Sequence, residues 1–225
     1  MSFRDQDEQL PFADRAEAGR ILGAKLLTYS GRGDVLALGL PRGGVPVAFE
    51  VARMLHVPLD VLVVRKLGTP WEKELAVGAI ASGGVEIVDY SIAKEERVPS
   101  EVLRQVAATE RKELERQELL YRGSRGPLAL DGKTVILVDD GIATGSCILA
   151  AIAAVRRQAA RVVVAVPVAP AAAARALRSQ ADEVITVAEP EDFLAVSQWY
   201  ENFNQISDDE VRQLLASSEG RPRAA

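Results

Sequence analysis

Residues 35–40 read VLALGL, an apolar run with no polar alternation. A strand that hides both faces from water has this pattern, whereas a strand with one wet face alternates apolar and polar residues. Related runs recur at 59–64 (LDVLVV), 134–138 (TVILV), 161–168 (RVVVAVPV) and 183–187 (EVITV). Helical spacing fills most of the intervals. Asp14 and Glu17 stand at capping-box spacing ahead of Ala18, Ile21, Leu22 and Leu26, which predicts a first helix from about Arg15 to Tyr29. Further helices are expected over 45–55, with Pro46 in the first turn, over 146–158 and 170–179, and after a second capping box at Ser207 and Glu210. Buried strands alternating with helices are the βαβ grammar, so the expected fold is α/β, an open, mainly parallel sheet with helices on both faces.

The grammar changes between 67 and 130. Residues 75–81 and 85–88 flank Ser82-Gly83-Gly84 as a hairpin, and Ser100 stands where it would cap a charged helix over 101–122. At 225 residues the chain has room for one full domain. We therefore expect a single domain over 1–225, with a core at about 14–66 and 131–188, a hairpin-and-helix flap insertion at about 67–130, and a small C-terminal hood and tail at about 189–225.

Composition narrows the chemistry. With 48% hydrophobic and 26% charged residues the chain can bury a core. Its net charge of −5 argues against nucleic acid as a partner, because the phosphate backbone selects basic surfaces. No run approaches the about 20 apolar residues of a membrane span, and the first ten residues are too polar for a secretory leader. The single cysteine, Cys147, has no partner for an intramolecular disulfide, which fits a reducing compartment; the expected location is the cytoplasm. The single histidine, His56, excludes a histidine zinc cluster and falls at an expected helix end, away from any nucleophile motif.

The most informative segment is 135–147, VILVDDGIATGSC. A buried strand ends in two acids, Asp139 and Asp140, and a loop of small and hydroxyl residues then leads into a helix. In an open parallel sheet, ligands bind beyond the carboxyl ends of the strands. Gly141, Ala143, Thr144, Gly145, Ser146 and Cys147 leave backbone amides approachable at a helix N-terminus, the makings of a phosphate cradle. The acids accept hydrogen bonds from sugar hydroxyls. Together they point to a sugar phosphate. Competing motifs fail: Gly132-Lys133-Thr134 would need a glycine at 127 to end a P-loop and finds Pro127, and no G-x-G-x-x-G follows a strand.

Segment 135–147 resembles the signature of type I phosphoribosyltransferases, which bind 5-phosphoribosyl-1-pyrophosphate (PRPP). Residues 38–44 (LGLPRGG) fall where that family has its pyrophosphate loop, and Arg65-Lys66 where basic residues follow the next core strand. The whole chain, including 138–145 and the ending WYENF at 199–203, is similar to a bacterial and archaeal group called predicted phosphoribosyltransferases, whose acceptor is unsettled.

The resemblance implies that Asp139 and Asp140 engage the ribose hydroxyls and that Ala143 to Cys147 hold the 5′-phosphate, with Gly141 also in the ribose 5-phosphate site. It also implies that Arg42, Gly43 and Gly44 meet the pyrophosphate, with Arg65 and Lys66 close by. Mg²⁺ is implied as the cofactor, held mainly through PRPP and assigned to no particular side chain; the implied partners are PRPP or pyrophosphate and a small-molecule acceptor, with a homodimer common among relatives. Many such enzymes carry a closing loop where this chain has its insertion, which makes Gly68, Thr69 and Pro70 candidate hinges. Trp71, Lys73 and Glu74 would be either flap lining or ordinary surface. Trp199, Tyr200 and Phe203 are either a hood that stacks on a flat acceptor or an apolar anchor for the C-terminal segment.

Two departures bear on specificity. Cys147 stands where the family loop commonly has Thr or Ser, leaving a weak S–H donor that is either packed or reactive. Ala143 stands where hypoxanthine-guanine enzymes carry an acid, which argues against those purines. The leading expectation is transfer of ribose 5-phosphate to a nitrogenous base; the alternatives are a non-catalytic sensor of PRPP or a nucleotide on the same fold, and a sugar-phosphate hydrolase.

Overall fold

The computed structural model describes residues 10–69, 71, 76–123 and 125–219. Its first helix, α1 (Arg15–Lys25), starts because Asp14 lies extended and accepts the Glu17 amide at 2.8 Å, while the Glu17 carboxylate returns to the Ala13 amide at 2.6 Å. It stops short of Tyr29. The Leu26 amide bonds back to Gly23 O at 3.1 Å, a tighter turn that leads into a separate 3₁₀ turn at Leu27–Tyr29.

The expected βαβ unit follows as β1 (Val35–Gly39), α2 (Gly44–Leu55) and β2 (Leu59–Val61). His56 ends α2 in the left-handed region at φ 55° and donates its amide to Ala52 O, a helix-end role. With β6 (Thr134–Val138), β7 (Arg161–Val168) and β8 (Glu183–Ala188), these strands build one parallel sheet in the order β2-β1-β6-β7-β8. Helices cover both faces, as expected. One face buries Ala37, Ile136, Val138 and Val163 against Leu22 of α1 and Val51 and Leu55 of α2. The other buries Leu38, Val135, Leu137 and Val164 against Ile148, Ile152 and Val155 of α5 (Ser146–Arg156) and Leu177 of α6 (Ala171–Leu177). Successive residues of one strand thus serve opposite cores, which is why the runs have no polar alternation; each fully buried Leu or Ile contributes roughly 1.5–3 kcal/mol.

The run at 59–64 is not one strand. Leu62 makes a last bond to Gly39 O at 3.2 Å, after which Val63 exchanges hydrogen bonds with Ser82, accepting its amide at 2.9 Å and donating to its hydroxyl at 3.0 Å. The chain has changed sheets. β3 (Val64–Gly68) pairs antiparallel with β4 (Ala76–Ala81), which pairs with β5 (Val85–Val88) across the turn at Ser82-Gly83-Gly84. Arg65 and Lys66, expected at the end of a core strand, therefore lie inside the second sheet; a run buried on both sides reads the same whether or not its partner changes.

Two helices complete the insertion. α3 (Tyr90–Glu95), which the periodicity did not reveal, is capped by Asp89 accepting the Ser91 and Ile92 amides. α4 (Ser100–Arg122) has Pro99, not Ser100, at its cap, since the Leu103 amide bonds to Pro99 O at 3.1 Å. Ala107, Leu114 and Tyr121 of α4 join the cluster of buried residues that contains Leu22 and Val51, so the insertion shares the main core. The last helix, α7 (Asp208–Glu219), starts with the expected Ser207–Glu210 capping box and adds Val211 and Leu215 to that cluster. No helix among the described residues is long and apolar enough to cross a membrane. Pro70, Lys73, Glu74, residues 1–9 and the tail at 220–225 lie outside the described residues.

The approach of α1 to α2 depends on Gly19, where a Cβ would stand 2.7 Å from Val47 O and 2.8 Å from Glu50 Cβ. Gly19→Leu replaces a weak helix former with a strong one inside α1, so any loss of stability comes from the crossing and not from helix propensity. It should lower unfolding stability by about 3 kcal/mol in urea titrations, and an unchanged midpoint would contradict this packing.

Candidate active site

β1 and β6 are adjacent and parallel, yet the chain leaves β1 for α2 on one face and β6 for α5 on the other. The loops after the two strands must diverge, which opens a crevice at the topological switch point. At its floor the Leu40 amide donates to Val138 O at 2.9 Å. The loop after β1, whose Pro41–Arg42 peptide is cis, then runs hard against the acids after β6. A Cβ on Gly44 would sit 2.6 Å from Val138 O and 2.8 Å from Asp139 Cα; one on Gly43 would sit 2.0 Å from Asp140 Oδ2. Glycine is needed here for room.

The loop after β6 forms the N-terminus of α5. Gly145 takes the left-handed conformation at φ 85° and its carbonyl accepts the first helical bond, from Leu149 at 2.9 Å. The amides of Ser146, Cys147 and Ile148 precede that bond and have no acceptor within the helix, leaving donors at its positive end. Ala143 and Thr144 are exposed, and the Thr144 and Ser146 hydroxyls lie 3.4 Å apart. Two neighbours differ. The Ile142 amide is spent on Val168 O, and buried Gly141 packs beneath Val196, leaving a Cβ no space. Burial pushes the Cys147 thiol up to about 11, with the Asp139 charge adding to the shift. Of the two readings of Cys147, packing fits.

Both acids are largely withdrawn from water. Burial, with the Asp140 charge beside it, holds Asp139 well above the usual carboxylate range; its Oδ1 accepts the Asp140 amide at 2.9 Å. Burial raises Asp140 as well, and Arg15 opposes that rise. Arg15, buried at the start of α1, donates Nε to Asp140 Oδ2 at 2.7 Å and Nη1 to Asn204 O at 2.8 Å. Its guanidinium carbon lies 3.8 Å from the Phe203 ring centre, and the Tyr200 hydroxyl donates to Asp140 O at 2.5 Å. Tyr200 and Phe203 thus pack around the acids' partner, 5.0 Å apart by ring centres, which matches the anchoring reading. Trp199 stacks on Phe193, and its buried Nε1–H finds no acceptor among the described residues.

The cationic residues divide. Lys66 is exposed, and its charge opposes, without cancelling, the rise of both Asp139 and Cys147. Arg65 of the same strand is ion-paired at 2.7 Å with Glu110 of α4. Arg42 lies 4.0 Å from Asp208 at the start of α7, and Asp208 also accepts the Tyr121 hydroxyl at 2.5 Å. Arg15, Glu110, Tyr121 and Asp208 were not found by sequence reasoning; Arg15 and Asp140 are 125 positions apart, and no local pattern joins them.

A cleft of about 720 Å³ opens at the other end of the sheet, lined by Arg32, His56, Asp60, Arg122 and Lys133 among others. It holds none of the expected site residues. Arg32 and Arg122 there are paired with Asp34 and Asp60. Size is outweighed by the convergence of amides, acids and cations at the switch point, an open crevice, which is the candidate site.

Comparison with known proteins gives the family. The family described as "Phosphoribosyl transferase domain" matches residues 64–204. Mycobacterium tuberculosis proteins named "Putative phosphoribosyl transferase", Rv0571c of strain H37Rv and MT0597 of strain CDC 1551, are 46% identical over 205 residues, 91% of this chain. The chain spans 46% of their length. The crystal structure of TT1426 from Thermus thermophilus is 40% identical with a TM-score of 0.77, covering 92% of this chain and 98% of that one. The parallel sheet with its switch-point loops is the type I phosphoribosyltransferase architecture. This chain belongs to the phosphoribosyl transferase domain family.

The raised thiol of Cys147 gives a direct test. Alkylation by iodoacetamide should be slow at pH 8 and accelerate only as pH nears 11, because the thiolate is the nucleophile. A rate already at its plateau by pH 8 would contradict the packing described.

Proposed function

We propose that the chain transfers ribose 5-phosphate from PRPP to a nitrogenous base and releases pyrophosphate. The observation that carries this reading is the convergence, at one switch point, of a helix N-terminus with free amides, two carboxylates, and a glycine pair pressed against them. The amides of 146–148 and the Thr144 and Ser146 hydroxyls receive the 5′-phosphate. Asp139 and Asp140 accept ribose hydroxyls, and their charge favours the cationic ribose that develops as the C1′–oxygen bond breaks. Arg42 and Lys66 face the leaving pyrophosphate, and Arg65 joins them on exchange from Glu110. Gly43 and Gly44 keep the backbone close enough for their amides to share that load.

In this reading Mg²⁺ arrives on the pyrophosphate, whose oxygens are the hard donors that the cation prefers. Bound there, the cation supplies charge neutralisation at the leaving group. Tyr200 and Phe203 serve as anchors of the C-terminal segment, which leaves the acceptor to the open side of the crevice. The location consistent with this chemistry is the cytoplasm.

Pyrophosphate release with PRPP, Mg²⁺ and a panel of purine and pyrimidine bases tests the reading. Turnover with one base is expected; PRPP binding without turnover on any base would replace transfer by sensing. Asp139→Asn should cut turnover about 100-fold or more with the circular dichroism spectrum unchanged, since it leaves the Arg15–Asp140 pair in place. Unchanged kinetics would remove Asp139 from the site. Gly145→Val, strained at φ 85° and bulky at the cradle, should weaken PRPP binding about 10-fold in calorimetry; unaltered affinity would contradict the cradle.

A further inference from the structure

We propose that Arg15 is the positioning residue of the acidic pair, tying Asp140 and the C-terminal segment into one unit that presents the acids to the ribose. The ligand in this statement rests on the transferase reading; the clamp itself rests on geometry alone.

Arg15 is set by the Asp14 cap at the first position of α1 and is only 8% exposed. Burying a guanidinium is costly unless its donors and its face are both occupied. Here Nε meets Asp140, Nη1 meets Asn204 O, and the plane covers Phe203. The surrounding backbone is laced in the same place: Phe12 donates to Trp199 O at 2.9 Å, Glu201 to Phe12 O at 2.8 Å and Asn202 to Ala13 O at 3.0 Å. The Tyr200 hydroxyl on Asp140 O and the packing of Val196 on Gly141 then join this seam to the loop after β6. Residues near both ends of the described chain therefore meet at one carboxylate. Any ligand that fixes Asp140 also fixes residues 199–204.

Arg15 also decides how the pair presents itself. It takes one acceptor site of Asp140, and a carboxylate has about four, so acceptors remain for a hydroxyl while the side chain is held in one orientation. Groups facing the pair are Arg15 from α1, Lys66 from β3, Cys147 from α5 and Tyr200 from the C-terminal segment, with Glu210 of α7 near Arg15. Arg15 is the one cation hydrogen-bonded to either acid among the described residues. Without it, two adjacent carboxylates withdrawn from water would favour protonation.

The test uses the full chain. In carboxyl-¹³C NMR of aspartate-labelled protein, with the Asp140 signal assigned through Asp140→Asn, Arg15→Met should move the Asp140 midpoint up by about 1–3 pH units; Arg15→Lys should restore most of it. An unmoved midpoint overturns the proposal. In calorimetry with PRPP and Mg²⁺, Arg15→Met should weaken affinity about 10-fold in the native chain and less than about 2-fold in the Asp140→Asn background. Equal losses in both backgrounds mean that Arg15 acts elsewhere, and overturn it too. Should Arg15→Met fail to fold, Phe203→Leu removes only the ring under the guanidinium and should weaken PRPP binding about 5-fold with a smaller upward midpoint shift. No change in either measurement overturns the proposal. A native chain that binds no PRPP defeats the transferase reading, while the titration still judges the clamp.

Discussion

The parallel pairing of β1 with β6 is the constraint on which the site depends. Val35 to Gly39 lie in register with Thr134 to Val138, so the two strands end level with each other. Their connections then depart to opposite faces, since α2 belongs to one core and α5 to the other. A slip of one residue would turn Ala37 and Leu38 to the wrong cores and would carry the loop at 40–44 away from Asp139 and Asp140. Fold and site share one register. The same residues that remove apolar surface from water bring an amide-rich helix end to a pair of acids.

Adjacent acids at the carboxyl end of a buried strand are expensive to keep charged, and the chain offsets that cost locally. The Asp140 amide turns back on Asp139, and Arg15 approaches Asp140 from α1. Gly43 and Gly44 are part of the same arrangement, because any side chain there would displace the acids from positions that Arg15 and the backbone define. This makes Asp139 and Asp140 unequal. Asp140 is built into a network with Asn204, Tyr200 and Phe203, and an Asp140→Asn change would leave a buried guanidinium without its carboxylate. Asp139 has no ion-pair partner within 4.0 Å among the described residues, so it is the acid whose chemistry can be altered with the framework preserved.

The sequence made much of this legible. Continuous apolar runs disclosed the doubly covered sheet, and the DDGIATGSC segment disclosed the acids and the helix N-terminus, because both signals are local in the chain. The change of sheet after Val61 escaped: Leu62 and Val63 are buried whichever partner they take, and the Ser82 hydroxyl and amide that capture Val63 lie 19 positions on. α3 escaped because a six-residue helix offers less than two turns of periodicity, although Asp89 ahead of Ser91 and Ile92 is a readable cap. Arg15 could be read only as the first residue of a helix. Its role belongs to contacts with Asp140, Phe203 and Asn204, which one-dimensional spacing does not encode.

On the function we propose, a chain of net charge −5 takes a polyanion and must concentrate its attraction. The means here are short-ranged. Amides at the start of α5 act over hydrogen-bond distance and carry no net charge, so they add nothing that would draw nucleic acid to the wider surface. The side-chain cations are held in check in the free protein, Arg65 by Glu110 and Arg42 loosely by Asp208, while Lys66 stays exposed. An arriving anion replaces one carboxylate partner at each arginine, and such an exchange gains less than pairing a charge that had no partner before. Affinity then comes chiefly from whatever both releases these pairs and fills the amide cradle. A phosphate at one end of a ribose and a pyrophosphate at the other meets both conditions at once, whereas a simple phosphate meets only one.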